Sequence, residues 1–187
     1  MGRKIEPRQL SESGERCILS LNALLGYALP PQQLLISGLA PVEAHVSRMV
    51  GRLIDESPIR GNIFAESMIN TLADDFVDNW DQRMSWLSKG FGVSITGEHT
   101  YQKLQRVNAA RNAIIHNEGS LTDRQLGKLN QLIQLRKNLK ADLDIVCSGR
   151  KLVFSPTTGD LAISILRDFT VHLDALVIAK YPAARRM

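Results

Sequence analysis

An arginine and a histidine lie close together near the end of a helical pattern in the middle of the chain. Arg111, Asn112 and His116 fall within two turns of a helix that the apolar spacing predicts over about residues 98–117. An imidazole titrates near neutrality, so it can act as a general acid or a general base. A guanidinium is a rigid cationic fork that matches phosphate oxygens, and an asparagine can orient either group. Metal-free cleavage of RNA needs these chemical types, because the 2′-hydroxyl must lose a proton, the 5′-oxygen must gain one and the phosphate must be held.

Arg111 is predicted to lie in the middle of an apolar stripe of this helix. At about 100° per residue, it falls about 20° from Leu104 around the helix axis. The apolar members of the stripe are Leu104, Val107, Ile114 and Ile115. Because burying an unpaired guanidinium is costly, Arg111 must meet a carboxylate, a partner chain or an anionic ligand. Along one edge of the stripe, a polar ridge recurs at every fourth position and consists of Asn108, Asn112 and His116.

Two structural interpretations compete with the catalytic one. A histidine in the last turn of a helix interacts favourably with the helix dipole, so His116 could be structural. An arginine in an apolar stripe is often one half of a buried ion pair. The carboxylate for Arg111 would then come from the preceding predicted helix, which carries Asp74, Asp75 and Asp78. The arginine–histidine spacing alone is a weak signal and leaves these interpretations open.

The rest of the pattern predicts an all-α bundle of about five to six helices with one small β-hairpin late in the chain. The helices are expected over about residues 8–28, 41–57, 62–88, 98–117, from 122 onward and over 160–180, and the hairpin over about 143–155. The third helix is the longest, and its apolar ridge consists of Phe64, Met68, Leu72, Phe76, Trp80 and Met84. The acidic residues of that helix are expected to form a solvated face.

Three local signals determine the less obvious boundaries. Ser37-Gly38 is expected to interrupt the chain, so that the second helix starts with Pro41 in its first turn. Thr122 and Gln125 have the spacing of a capping box, which fixes the start of the fifth helix. The apolar face of that helix is then expected to contain Leu129, Leu132, Ile133 and Leu139. Ser148-Gly149-Arg150 separates two short apolar runs, which is typical of a hairpin turn.

Length and composition favour one globular domain over residues 1–187, with the hairpin as an appendage. The 187 residues are 44% hydrophobic, and the formal net charge of +4 tolerates a polyanionic partner without requiring one. Cys17 and Cys147 have no paired spacing, so reduced and buried thiols are expected. The sequence shows neither a secretory signal nor an apolar run of about 20 residues, and we expect a cytoplasmic protein without a membrane span. No spacing typical of a metal or cofactor site is found, so no metal and no cofactor is expected.

The wider context of the motif resembles the HEPN family (higher eukaryotes and prokaryotes nucleotide-binding domains). The signature of that family is an arginine, about four to six residues, and then a histidine, with a polar residue often directly after the arginine. Arg-Asn-x-x-x-His-Asn fits it, since four residues separate Arg111 from His116 and Asn112 occupies the polar position. The preceding Val-Asn-Ala-Ala run and the long helix before the motif helix also match. The resemblance is sharp over about residues 98–120, and the 143–155 hairpin has no counterpart in it.

The resemblance implies a metal-independent endoribonuclease that works as a homodimer. Two motif helices would meet and form one composite active site, and the products would carry a 2′,3′-cyclic phosphate. Arg111 would hold the scissile phosphate, His116 would act as acid or base, and Asn112 would support the site. Further RNA contacts are expected from Asn108, Asn117, Lys103 and Arg106, and Arg83 and Lys89 are weaker candidates for phosphate contacts. Many family members are toxins or phage-defence effectors, which implies an antitoxin or another defence protein as a partner.

Two other functions remain open from the sequence. The first is a HEPN-like module that binds RNA, a nucleotide or a protein and does not cut. The second is an unrelated helical regulator or antitoxin, in which Arg111 is half of a buried ion pair within one chain. The three hypotheses make different demands on the structure. The nuclease needs the Arg111 and His116 side chains of two copies in one cleft, the binding module tolerates a dimer whose motif faces are apart or blocked, and the regulator needs Arg111 bonded to a carboxylate within one chain.

Overall fold

The computed structural model describes residues 10–57, 61–64, 66–67 and 80–186. The helices in this part of the chain include α1 Glu12–Leu25, α2 Pro31–Asp55, α3 Trp80–Ser85, α4 His99–Asn117, α5 Asp123–Leu126, α6 Leu129–Leu143 and α7 Thr158–Lys180. A π-helical turn, Trp86–Gly90, follows α3, and a 3-10 helix, Pro182–Arg186, follows α7. The strands β1 Ile145–Ser148 and β2 Lys151–Phe154 form a two-stranded antiparallel sheet. The predicted all-α class with a small late hairpin is confirmed.

The predicted helix over 62–88 is described only in part. Residues 63–64 and 66–67 and the segments Trp80–Ser85 and Trp86–Gly90 are helical. Met84 of the predicted apolar ridge is buried, but Phe64 is 74% exposed, so the prediction is wrong at that residue. Several residues on which that prediction depended lie outside the described residues: Met68, Leu72, Asp74, Asp75, Phe76 and Asp78.

The chain divides into two compact units, each built from separate stretches of sequence. The first unit draws on Met1–Ile18, Val42–Gly97 and Thr170–Met187, and the second on Leu19–Pro41 and Glu98–Phe169. The hairpin is an integral part of the second unit, since its residues Ile145 and Leu152 are buried. That the whole chain acts as a single domain remains a prediction.

The second helix does not begin at Pro41, and this prediction is wrong. Helix α2 starts at Pro31, the position in the first turn where a missing N–H costs nothing, and continues through Pro41. Gly38 does not interrupt it. A Cβ atom at Gly38 would lie only 2.7 Å from Ile163 Cδ1 and 2.8 Å from Leu166 Cδ1. Glycine is therefore needed for close packing of α2 against α7, and what looked like a helix breaker is a helix–helix contact.

The helix expected after Thr122 consists of two helices. The capping box is confirmed, because the Thr122 side chain accepts from Gln125 N while Gln125 Oε1 accepts from Thr122 N at 2.8 Å. The helix then stops after one turn, and α6 starts after Lys128, whose backbone is extended (φ −128°, ψ 125°). This break changes which side of the following helix is buried. Leu139 is buried as expected, but Leu129 is 70% and Ile133 56% exposed, so the predicted apolar face is wrong at its start.

The first unit contains a buried cluster of polar side chains. Asp174 accepts hydrogen bonds from the Ser11 backbone N at 2.5 Å and from the Ser11 hydroxyl at 2.6 Å. The Ser13 hydroxyl is 2.8 Å from His45 Nδ1, while His45 Nε2 lies 3.8 Å from Asp174 Oδ1, which is beyond hydrogen-bond distance. All four residues are at most 1% exposed. Because no substrate can reach the Ser13 hydroxyl, this serine–histidine–aspartate set is structural.

Both cysteines are free, as expected, and Cys17 is buried, but Cys147 is only half-buried. Among the described residues, no helix is both long and apolar enough to span a membrane.

Candidate functional site

The buried face of the motif helix, α4, rotates steadily along the helix. Its buried residues are Tyr101, Leu104, Val107, Ala110 and Ala113. Successive buried residues are three positions apart, which is about 300° around the helix axis and 60° short of a full turn. The buried side of α4 therefore shifts by about 60° in the same direction at each step. By Ala113 the core therefore lies on the side of the helix opposite to Leu104. Arg111, about 20° from Leu104, consequently points away from the core, and the prediction that it lies in a buried stripe is wrong.

Arg111 is half-exposed and contacts a neighbouring member of the motif. Its Nη1 lies 3.4 Å from Asn112 Oδ1, to which it donates a long hydrogen bond. No carboxylate of the described residues pairs with Arg111. Ile115, one turn further along α4, is 45% exposed beside it. The guanidinium is thus accessible to an anion or to another protein chain.

The C-terminal end of α4 is closed by two consecutive residues with positive φ. Gly119 has a φ of 80°, and Glu118 precedes it in the left-handed region with a φ of 50°. The backbone N–H groups of both residues donate to the Ala113 carbonyl. Asn117 then fixes the following loop, because its Nδ2 donates to the carbonyls of Ser120 at 3.2 Å and Leu121 at 3.0 Å. The predicted RNA-binding residue Asn117 therefore also has a structural role.

The hairpin is attached to this loop by backbone hydrogen bonds. Leu121 N donates to the Arg150 carbonyl at 2.8 Å, and Leu152 N donates to the Gly119 carbonyl at 2.8 Å. In the hairpin, Ser148 pairs with Lys151, so Gly149 and Arg150 form the turn. Gly149 has a φ of 59° at the first turn position, where two-residue hairpins favour glycine. These bonds place the Arg150 turn beside the end of the motif helix, about 30 residues earlier in the chain.

A polar cleft of about 420 Å³ lies where these segments meet. It is lined by His116, Asn117, Ser120, Thr122, Asp123 and Arg150. His116 is exposed, so its imidazole is accessible to a ligand in the cleft. The cleft combines an imidazole, a guanidinium, a carboxylate and two hydroxyl groups, which is a set suited to binding and protonating a phosphate ester. We call it the His116 cleft.

Sequence reasoning identified only two of the residues that line the His116 cleft as functional, His116 and Asn117. Thr122 and Arg150 were recognised only as a helix cap and as part of a turn. The signal that places Arg150 in the cleft is the backbone pairing between the loop and the hairpin, which no local pattern predicts.

The guanidinium of Arg150 is paired with the carboxylate of Asp123 at the rim of the cleft. The two side chains are 55% and 94% exposed. An ion pair this exposed contributes little to stability, because water screens both charges.

The remaining predicted contacts are distributed unevenly. Asn112 is exposed, while Asn108 and Lys103 are half-buried on α4. Arg106 forms an ion pair of 2.5 Å with Asp142 of α6, and the two side chains are only 16% and 13% exposed. This pairing gives Arg106 a structural role, which differs from the RNA contact expected from the sequence.

Of the two weaker phosphate candidates in the first unit, only Lys89 is exposed. Arg83 is 5% exposed, 3.9 Å from Glu43 and stacked on Trp80 at 5.4 Å. Because its guanidinium is buried and paired, Arg83 is not a phosphate contact.

Within the part of the chain that the structure describes, no three potential metal ligands come together. No protein-family model, curated protein or solved structure matches the chain.

Proposed function

We propose that the protein is a metal-independent endoribonuclease of the HEPN type, which acts as a toxin or phage-defence effector. The observation that supports this most directly is the exposure of His116 in a polar cleft that also contains a guanidinium. A cleft of this size is in the range of small-ligand sites and can admit a nucleotide of an RNA strand. The assignment to the HEPN type rests on the motif and on the all-α fold class.

In this proposal, His116 transfers the proton and Arg111 holds the phosphate. The imidazole takes the proton from the attacking 2′-hydroxyl or gives one to the leaving 5′-oxygen. Attack of the 2′-oxygen on phosphorus breaks the bond to the 5′-oxygen and leaves a 2′,3′-cyclic phosphate. Arg111 stabilises the negative charge on the phosphate oxygens, and Asn112 orients its guanidinium through the hydrogen bond described above.

The geometry of a single chain favours a site shared between two copies. Five residues of helix turn the direction of a side chain by about 140°, so Arg111 and His116 leave α4 on different sides. Accordingly, His116 lines the cleft and Arg111 is not among the residues that line it. A second copy that approaches along the exposed side of α4 would bring its own Arg111 to the first copy's His116. We therefore propose a homodimer whose composite site pairs the two residues across the interface.

A second candidate function is a HEPN-like module that binds RNA, a nucleotide or a protein without cutting. In a chain that does not pair along α4, Arg111 and His116 stay on different sides of the helix and cannot act on one phosphate. This module would bind RNA and leave it intact. In either case, an antitoxin or another defence protein is the proposed partner that controls the activity.

The test is cleavage of single-stranded RNA by the purified protein in excess EDTA, with the product ends identified. We expect cutting that survives EDTA, 2′,3′-cyclic phosphate ends, and loss of cutting by at least about 100-fold in Arg111→Ala and in His116→Ala. The matched controls are Arg167→Ala and His99→Ala, which remove exposed side chains of the same types outside the His116 cleft. These two variants should cut as well as the wild type.

A mixing experiment in the same assay tests whether the site is shared. Arg111→Ala and His116→Ala proteins are unfolded together and refolded as mixed dimers. If Arg111 of one copy works with His116 of the other, the mixture regains part of the wild-type rate, although each variant alone is inactive. Absence of cutting by a folded wild-type protein would instead support the binding module, and active variants would contradict the proposed catalytic roles.

A further inference from the structure

We propose that Arg150 binds an RNA phosphate next to the one on which His116 acts, and that Asp123 competes with this phosphate for the guanidinium. The inference rests on the proposed ribonuclease function and extends the site to the hairpin, which the motif resemblance does not include. It follows from three features of the His116 cleft: the fixed backbone of Arg150, its exposed side chain and its carboxylate partner.

The position of Arg150 relative to His116 is set by backbone bonds, not by a flexible loop. The Arg150 carbonyl accepts from Leu121 N, and the Leu152 N–H donates to Gly119. Asn117, which follows His116 directly, holds the same loop through its two side-chain hydrogen bonds. Hydrogen bonds therefore fix the segment that carries His116 relative to the turn that carries Arg150. A site that binds two consecutive groups of one ligand requires such a fixed arrangement.

The Arg150 side chain lies at the rim of the cleft and is more than half exposed. A guanidinium in this position can form two parallel hydrogen bonds with a phosphate that enters from solvent. An RNA strand with its scissile phosphate at His116 would pass the rim of the cleft and present a neighbouring phosphate there. The ligand chemistry is that of a phosphodiester, which an RNA strand repeats at every nucleotide.

Asp123 occupies the phosphate position when RNA is absent. Its carboxylate pairs with Arg150 and is 94% exposed. Because an exposed ion pair is weak, a phosphate held at several points can displace the carboxylate. Removing the negative charge of Asp123 should therefore strengthen RNA binding, a gain that a purely structural ion pair would not produce.

The experiment measures binding of a fluorescent 2′-O-methyl RNA oligonucleotide, which cannot be cut by attack of the 2′-hydroxyl, by fluorescence anisotropy over a range of salt concentrations. We expect Arg150→Gln to weaken binding about tenfold and to reduce the salt slope by about one. Asp123→Asn should bind several-fold more tightly than the wild type. The double variant should bind like Arg150→Gln, because Asp123 acts only through Arg150.

The chain offers a matched pair of control variants. Lys140 and Asp144 form another exposed ion pair in the second unit, with side chains 59% and 37% exposed, and neither residue lines the His116 cleft. Lys140→Gln and Asp144→Asn change the net charge by the same amounts as the two test variants. They should leave RNA affinity within about twofold of the wild type. Thermal unfolding of every variant shows that each one is folded.

The proposal is overturned if Arg150→Gln and Lys140→Gln weaken binding equally, or if Asp123→Asn binds no more tightly than Asp144→Asn. A parallel arm titrates inorganic phosphate, and Arg150-dependent binding of phosphate without Arg150-dependent binding of RNA would also overturn it. Because binding is measured with uncleavable RNA, the result is separate from the cleavage test. Arg150-dependent binding by a protein that does not cut would support this proposal and contradict the ribonuclease.

Discussion

Arg106 and Arg111 lie on the same helix, and their environments are opposite. Arg106 is mostly buried in its ion pair with Asp142, whereas Arg111 is half-exposed and donates only a long hydrogen bond to Asn112. An ion pair that is largely removed from water leaves an unpaired buried charge when one partner is lost. Removing an exposed side chain has no such cost.

We therefore predict that Arg106→Ala lowers the free energy of unfolding by about 1–3 kcal/mol. Arg111→Ala should change it by less than about 0.5 kcal/mol. Urea denaturation followed by circular dichroism measures both values. A large loss of stability in Arg111→Ala would restore the interpretation of Arg111 as half of a structural ion pair and would weaken its proposed role in binding phosphate.

At the scale of the elements, two glycines within helices have opposite surroundings. A Cβ atom at Gly14 of α1 would lie 2.9 Å from Asp174 Oδ2 and 3.0 Å from Asp174 Cγ, and that carboxylate is fixed by its bonds to Ser11. A Cβ atom at Gly51 of α2 would meet nothing within 4 Å. Glycine is thus required at one position and is only a weak helix former at the other.

Gly14→Ala should consequently destabilise the protein by about 1–3 kcal/mol, because the buried carboxylate cannot move away without losing hydrogen bonds. Gly51→Ala should stabilise it by about 0.5–1 kcal/mol, the ordinary gain in helix propensity. Differential scanning calorimetry of the two variants compares the same chemical change at both sites. A rise in the melting temperature of Gly14→Ala would show that Asp174 is not fixed as the structure has it.

At the scale of the whole molecule, the buried polar cluster of the first unit couples folding to pH. Burial, and to a smaller extent the positive charge of Arg48, lowers the pKa of His45 from 6.5 to about 4. The folded protein therefore binds this proton less readily than the unfolded chain does. The stability that neutral His45 contributes is complete above about pH 6.5 and is lost as the pH falls from 6.5 towards 4.

Asp174 acts in the opposite direction. Burial raises the pKa of its carboxyl group, although the hydrogen bonds from Ser11 partly offset this. A carboxyl group with a raised pKa takes up its proton in the folded state first, so its contribution to stability increases as the pH falls. A variant at His45 is needed to separate the two effects.

We predict that the wild type loses about 2 kcal/mol more stability than His45→Gln between pH 7 and pH 5. Glutamine keeps hydrogen-bonding groups for Ser13 and does not titrate. Urea denaturation at both pH values gives the difference. Equal losses in the two proteins would show that His45 is not held neutral in the folded state.

Local sequence was sufficient for several elements of the fold. Thr122 and Gln125 form the predicted capping box, and Gly149 and Arg150 form the predicted turn. The limits of α4 were predicted to within one residue. These features depend on residues only a few positions apart, and backbone geometry allows few solutions at that range.

The tertiary structure alone decided the environment of the candidate site. The sequence placed Arg111 inside the apolar stripe of α4. In the structure, the buried side of α4 shifts around the helix axis between Tyr101 and Ala113, so Arg111 points outward. Gly38 looked like a helix breaker and is a packing contact with Ile163. Arg150 joins His116 in one cleft through hydrogen bonds between a loop and a hairpin turn about 30 residues apart in the chain. Each of these outcomes depends on contacts between residues far apart in sequence, which helical periodicity and turn chemistry do not encode.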